Sequence, residues 1–499
     1  MTETINDTKV MEYKMRPFRS SWKQLSPELI TLAKELLFLI RKYGIDKVGE
    51  QDAIKKRYEF ISAVHEGWKI AQKKIAFEII IRLEEITSLQ QQSKDYHRQK
   101  NSKEKLRCLR ESRLKEYEIK VLRRFIDSIV WVLFDNEHSS IRRLALPGKN
   151  DNLSKENIID SMIAADLINE EPTTIAIASD MTTFVHAGDL VVYKMGQGVS
   201  LVEVKSGDKN IEFSHAAQFS VESQCKHFDE QFIKNLNEKD IKHYTRTKKQ
   251  WQRLTDITQT INKGTGYDHY HKTQVNIEDE NYIPEFYNQA IVNCWSEIKE
   301  GKNWSIEVID DCVYVGTYKK TEMGFVGFNA WMDGTNFKGR IFNISDSISH
   351  HFAQPLFNLN LPQELIEDII TGNLIIVLCL DYNKFMQLAN QKHPNLLHLA
   401  PLPKKFTDPD DFFMIGKEAI FSYKNGNISF IGTGLESRII FDLQKPSNVI
   451  DWIYRGSDLY TAKAQQKQAS NAQALRRKIK RNKKSKNKNA KQSRRLNRK

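Results

Sequence analysis

The chain has 499 residues, 40 % of them apolar and 28 % charged, and at roughly 100 to 200 residues per domain it has material for two or three folded units. No stretch approaches the roughly 18 consecutive apolar residues of a membrane span, and the five cysteines, Cys108, Cys225, Cys294, Cys312 and Cys379, are scattered, odd in number and outside any CxxC or Cys/His cluster, which excludes a disulfide framework and a structural zinc site. The formal charge of +13 belongs to one end: residues 476–499 hold 14 Lys or Arg and no acid, which leaves −1 for the rest.

The opening "MTETINDTKVMEYKMRPF" lacks the basic-then-apolar order of a secretory signal, so a reducing, cytoplasmic setting without membrane contact is expected. Residues 1–135 read as a helical domain. Ser26 can N-cap its first helix, Pro27 fits the first helical position, "ELITLAKELLFLIRKY" keeps helical spacing, and Gly44 marks a stop. A longer helical stretch over 51–134 has a polar, charge-mixed middle, "LQQQSKDYHRQKNSKEKLR", suited to a solvated arm or the tip of a helical hairpin. Such a domain can dock a second copy or a protein partner.

From about 150 the pattern changes. "SKENIIDSMIAADLIN" is an amphipathic helix with Ser154 as its cap, "TTIAIASD" is a strand by β-branched content, and "HAGDLVVYKMGQGVSLVEVKSGD" supplies two more strands around a glycine turn. A polar helical segment over 211–240 precedes the helix "HYTRTKKQWQRLTDITQTIN" and the strand region "WSIEVIDDCVYVGTYKK". Residues 150–320 thus spell an αβββαβ unit. Residues 321–460 read as a further α+β region, with the helix "LPQELIEDIITG" and an Asn425-Gly426 hairpin signal. The tail, 461–499, is too charged to bury anything, is expected to be disordered, and suits non-specific phosphate contact. The class expected overall is α/β in its core and α+β across the chain.

Inside the hairpin stand three charges, Asp189, Glu203 and Lys205. Residues two apart in a strand share a face, so Glu203 and Lys205 point one way and Val202 and Val204 the other. With Gly196-Gln197-Gly198 as the turn, partner numbers sum to 394, which sets Asp189 opposite Lys205 with Glu203 one step away on the same face. A two-residue turn would send Asp189 to the other face. Cross-strand neighbours have Cβ atoms about 4.5 to 5.5 Å apart, close enough for two carboxylates to share a divalent cation. Two hard oxygen ligands suit Mg²⁺ or Mn²⁺, which can activate a water and polarise a phosphodiester beside an ammonium. The bland alternative is a cross-strand pair of exposed charges.

The order of strands, with "GDLVVYK" followed by "SLVEVKSG", resembles the core of the PD-(D/E)XK, or restriction-endonuclease-like, nuclease superfamily. The resemblance covers 150–320. It implies Asp189 and Glu203 as metal ligands and Lys205 as the residue that assists water activation, with Gly188 standing where the family name has proline. It also implies a phosphate-contacting role for Arg246, Gln250 and Arg253, which fall on one face of the helix after the hairpin; Gln218 and Gln224 are rivals for the glutamine's role, and Glu156 or Asp160 for a further ligand. The expected activity is Mg²⁺- or Mn²⁺-dependent hydrolysis of DNA phosphodiester bonds, in a setting of antiviral defence against foreign DNA. The alternatives are a catalytically silent nucleic-acid-binding scaffold and a nuclease acting on RNA. "MGQGVS" lacks the Lys-Ser/Thr of a phosphate loop, and His269 with His271, or His350 with His351, lacks the spacing of a hydrolytic zinc site.

Overall fold

A computed structural model of the protein describes residues 15–145, 153–205, 207–234, 236–268, 273–276, 283–335, 337–403, 408–424 and 427–455. The basic tail, the Asn425-Gly426 pair, His269 and His271 lie outside them.

Helix α1 (Pro27–Arg41) begins as its sequence dictates, with the Ser26 hydroxyl accepting the Leu29 N–H at 3.2 Å. Gly44 does not stop the helical run. It lies inside a short second helix, α2 (Tyr43–Val48), where a Cβ would come within 2.3 Å of the Val64 side chain, so its smallness serves close helix packing. Two long helices follow, α3 (Arg57–Arg98) and α4 (Ser102–Leu133), packed as a hairpin whose polar tip is residues 99–101. Arg82 of α3, almost fully buried, is held there by Glu118 of α4 at 2.8 Å and by Glu78. A lone guanidinium at that depth would be costly; paired, it locks the register of the two helices.

Beyond α5 (His138–Leu144) and α6 (Lys155–Ile168) come the three strands β1 (Thr174–Ala178), β2 (Leu190–Lys194) and β3 (Gly198–Val202), an antiparallel sheet in that order. The polar stretch after it forms α7 (Asp208–Ser223), α8 (Lys226–Lys234) and α9 (Glu238–Lys263). After the small ribbon β4 (Thr265–Asp268) and β5 (Thr273–Asn276) and helix α10 (Asn288–Lys299), a second sheet takes shape. It is built from β6 (Trp304–Ile309), β7 (Val313–Tyr318), β8 (Ile341–Asn343) and β9 (Ile375–Leu380) in the order β6-β7-β9-β8.

The strand expected to complete the αβββαβ unit therefore belongs elsewhere. "WSIEVIDDCVYVGTYKK" is β6 and β7, and β7 pairs on its other side with β9, so one sheet runs across the boundary expected at 320. The physical reason lies at β3. Its outer edge is already occupied by the side-chain amide of Asn262 on α9, which donates to Val199 O at 2.7 Å and accepts from Val199 N at 3.2 Å. The outer edge of β1 is closed in the same way. Gln72 of α3 bonds Ala176 O at 2.9 Å and Ala178 N at 3.0 Å, and Asn169 accepts from Ala176 N at 2.8 Å.

The N-terminal helices are bound to the C-terminal region throughout. Arg41 of α1 donates to the carbonyls of Phe357, Leu359 and Leu361, Arg124 of α4 to that of Ala353, and Trp22 Nε1 to the Ser345 hydroxyl. One buried apolar cluster runs from Trp22 to Ile453 through both sheets.

Candidate active site

The hairpin forms, and its turn has three residues, but they are Met195, Gly196 and Gln197. Leu190 faces Val202 and Lys194 faces Gly198, so partner numbers sum to 392 rather than the expected 394. Gly196 and Gly198 both have φ near +80°, which let the chain place the bend one residue earlier. A slip of two residues preserves the face each side chain takes but changes its partner. Continuing the register one step brings Asp189 toward Glu203 instead of Lys205.

The loop that delivers Asp189 is anchored before it arrives. Asp127 of α4, fully buried, accepts from the Thr183 N–H at 2.8 Å and hydroxyl at 2.6 Å while paired with Arg124 at 2.9 Å, and His186 N donates to Leu144 O at 2.8 Å. Arg123 also donates to the Thr182 carbonyl. Gly188 then turns the chain at φ +76°, where a Cβ would lie 3.2 Å from Val202 O. Proline, fixed near −65°, has no place there.

Asp189 bonds the sheet on both sides through its backbone, donating to Val202 O at 2.8 Å and accepting from Ser179 N at 2.9 Å. Its carboxylate Oδ2 accepts the Val204 N–H at 2.7 Å. Burial pushes this carboxyl up to about 6, and the charge of Glu203 adds to the push, against the pull of the Val204 N–H and of Lys205. Glu203 and Lys205 lie just past the end of β3, at 11 % and 25 % side-chain exposure, and Lys205 Nζ meets Glu203 Oε2 at 2.9 Å. The three sequence candidates are thus neighbours, in a pairing different from the one expected.

Asp180 was not singled out from the sequence. It sits on the 3₁₀ turn after β1 (Ser179–Met181), and its charge also raises Asp189. The sequence "TTIAIASD" shows an acid after the strand, but only the pairing of β1 with β2 brings it beside Asp189. Among the described residues, no three His, Cys, Asp or Glu side chains gather as a metal cage would. What the site offers a cation is the pair Asp189 and Glu203. This donor set, two hard oxygen groups brought together against their own repulsion, fits Mg²⁺ or Mn²⁺ completed by water and phosphate oxygens, and does not fit an all-protein calcium or zinc site.

Helix α9 carries Arg246, Gln250 and Arg253 and packs along β3 and α7, held by Asn262 at the hairpin and by Trp251 Nε1 on the Ser214 hydroxyl at 3.0 Å. Arg246 is exposed; Gln250 and Arg253 are half-buried, and the Arg253 Nε is buried without a hydrogen-bond partner among the described residues. Gln218 is bonded to Glu222 on the surface of α7, and Glu156 and Asp160 are exposed on α6. Comparison with family models, curated proteins and solved structures finds no match to this chain. No helix among the described residues is long and apolar enough to cross a membrane.

Proposed function

We propose that the protein is a metal-dependent nuclease that hydrolyses DNA phosphodiester bonds, a cytoplasmic enzyme of the PD-(D/E)XK kind acting against foreign DNA. The observation that carries this reading is the meeting of Asp189 and Glu203 at the end of an anchored hairpin, with Lys205 against Glu203 at 2.9 Å. Two carboxylates held near each other and half out of water are costly unless a cation, a proton or an ammonium offsets them.

Asp189 and Glu203 would hold Mg²⁺ or Mn²⁺. When bound, such an ion lowers the pKa of a water and polarises a phosphodiester. Asp189 is oriented for that task by the Val204 N–H, which fixes one carboxylate oxygen. Lys205 steadies Glu203 and supplies positive charge where the phosphoryl oxygens gain negative charge. Arg246, Gln250 and Arg253 would contact backbone phosphates, and the basic tail would add a non-specific, salt-sensitive hold on the polyanion. The ion pair between Lys205 and Glu203, which leaves less negative charge for a cation, favours a second reading: a nucleic-acid-binding scaffold that does not cut.

The two readings separate when the full chain is incubated with plasmid DNA, single-stranded DNA and RNA, in Mg²⁺, Mn²⁺ or EDTA, beside Asp189→Ala and Lys205→Ala variants. We expect metal-dependent cutting of DNA that falls by about 10² to 10⁴-fold in each variant, with binding retained. Binding without cutting, or equal cutting by wild type and variants, removes the catalytic reading. Preferential cutting of RNA changes the substrate.

A further inference from the structure

A cavity of about 1610 Å³ opens between the N-terminal helices and the C-terminal region, larger than the roughly 300 to 1,000 Å³ of a small-molecule site, and neither Asp189, Glu203 nor Lys205 lines it. Its wall brings together two guanidiniums from distant parts of the chain, Arg142 of α5 and Arg438 of helix α14 (Thr433–Ile440). A Cβ on Gly434 would lie 3.0 Å from the Arg142 guanidinium, and Gly434 is one helical turn before Arg438, so the two positive groups approach the same short stretch of helix.

Neither guanidinium has a hydrogen bond or an ion pair among the described residues; that of Arg438 lies over the Trp452 ring at 4.7 Å. Arg142 is exposed as a residue, yet desolvation by the atoms crowded around its guanidinium, and then the charge of Arg438, lowers its pKa, with Asp442 acting against them. The carboxylates of the cavity are otherwise engaged. Asp442 is held by His138 at 2.5 Å and the Gln354 N–H at 2.6 Å, Glu436 by Arg340 at 2.9 Å and the Tyr382 hydroxyl at 2.5 Å, while Asp135, Glu137 and Asp410 are exposed at the margin. Helix α14 adds to the positive side, because it starts at Gly432 without a side-chain cap. Two guanidiniums brought to the same stretch of helix, with the nearby Asp442 already engaged by His138 and Gln354, repel each other, and an anion between them removes that cost.

The same cavity carries aromatic surface that the fold leaves open. Phe286 and Phe352 line it at 44 % and 42 % exposure, although side chains of this size are normally buried. Flat apolar rings beside guanidiniums are the pairing that takes a planar base together with its phosphate. We propose that this cavity is a second site, binding a phosphorylated ligand of nucleotide size with its phosphate between Arg142 and Arg438 and its planar group on Phe286 and Phe352.

The test follows the melting temperature of the full chain against ADP, inorganic pyrophosphate and adenosine in metal-free buffer, for wild type, Arg142→Gln, Arg438→Gln and Lys205→Ala. We expect ADP and pyrophosphate to raise the melting temperature saturably, adenosine to do so far less, and each arginine replacement to weaken ADP binding by about tenfold. Arg142→Gln alone should melt no lower than wild type, since it removes a repulsion, and Lys205→Ala should keep the full ADP response. A response equal in wild type and Arg142→Gln places the anion elsewhere, on the basic tail or at the hairpin, and overturns the proposal, as does the absence of any response.

Discussion

Two aspartates at strand ends, Asp381 buried and Asp189 half-buried, show what separates a scaffold from a site. Asp381 follows β9, and its carboxylate accepts the N–H groups of Asn383 and Lys384 as the N-cap of helix α13 (Tyr382–Lys392). Asp189 precedes β2 and also accepts a backbone N–H, but it faces a second carboxylate. Burial raises the pKa of both. In the first case the donors belong to a helix that must begin there, so the hydrogen bonds serve the fold and offset part of the cost of burial. In the second the like charge of Glu203 works against the fold, and a ligand would have to compensate it.

The largest expected effect comes from exchanging these two residues' fates. Asp189→Asn should abolish cutting by about 10² to 10⁴-fold while leaving the melting temperature at or above that of wild type, because it removes a repulsion. Asp381→Ala should leave cutting unchanged and lose about 1 kcal/mol of stability with its cap. Plasmid cleavage and thermal denaturation on the same two variants check both halves, and a destabilised Asp189→Asn with normal activity would reverse the comparison.

A second effect bears on why the first sheet stays small. Gln72→Leu leaves the carbonyl of Ala176 without the Gln72 amide and the N–H of Ala178 without its acceptor, and should cost about 2 kcal/mol or more in denaturant unfolding. The corresponding change in the second sheet has no counterpart, since β7 has strands on both sides.

A further effect is in pH. Burial holds His65 and His350 down to about 4, with the charges of Lys69 and of Arg124 next in each case. A folded-state pKa below the ordinary value means that the neutral form is favoured in the native state. Stability from these groups is therefore complete above about 6.5 and is lost as the pH falls toward 4. Chemical denaturation at pH 7 and pH 5 should show this loss, and His350→Asn should lessen it; an unchanged difference would mean that His350 is not held neutral.

Helices were readable wherever local chemistry decides them. Ser26, Pro27 and the apolar period announce α1, and the polar run around 99–101 announces the hairpin tip between α3 and α4. Strand identity and the clustering of Asp189, Glu203 and Lys205 were readable from alternation and parity. The register was not, because two left-handed glycines, Gly196 and Gly198, allow the same three-residue bend at two positions. Asp180 was hidden because its nearness depends on strand pairing. The fate of β6 depends on Asn262, some 60 residues from the edge it covers, and no local pattern carries that information. Gly44 shows the converse, a residue typical of helix ends used for contact between helices.

The amides of Gln72, Asn169 and Asn262 also bear on how the protein meets its own copies. An open strand edge is a template for another chain, and proteins that expose one risk edge-to-edge polymerisation. Here the outward backbone groups of Ala176, Ala178 and Val199 are saturated from within the same molecule. Self-association by strand addition at those positions would first have to displace a side chain from each, so the small sheet is insulated from neighbouring copies.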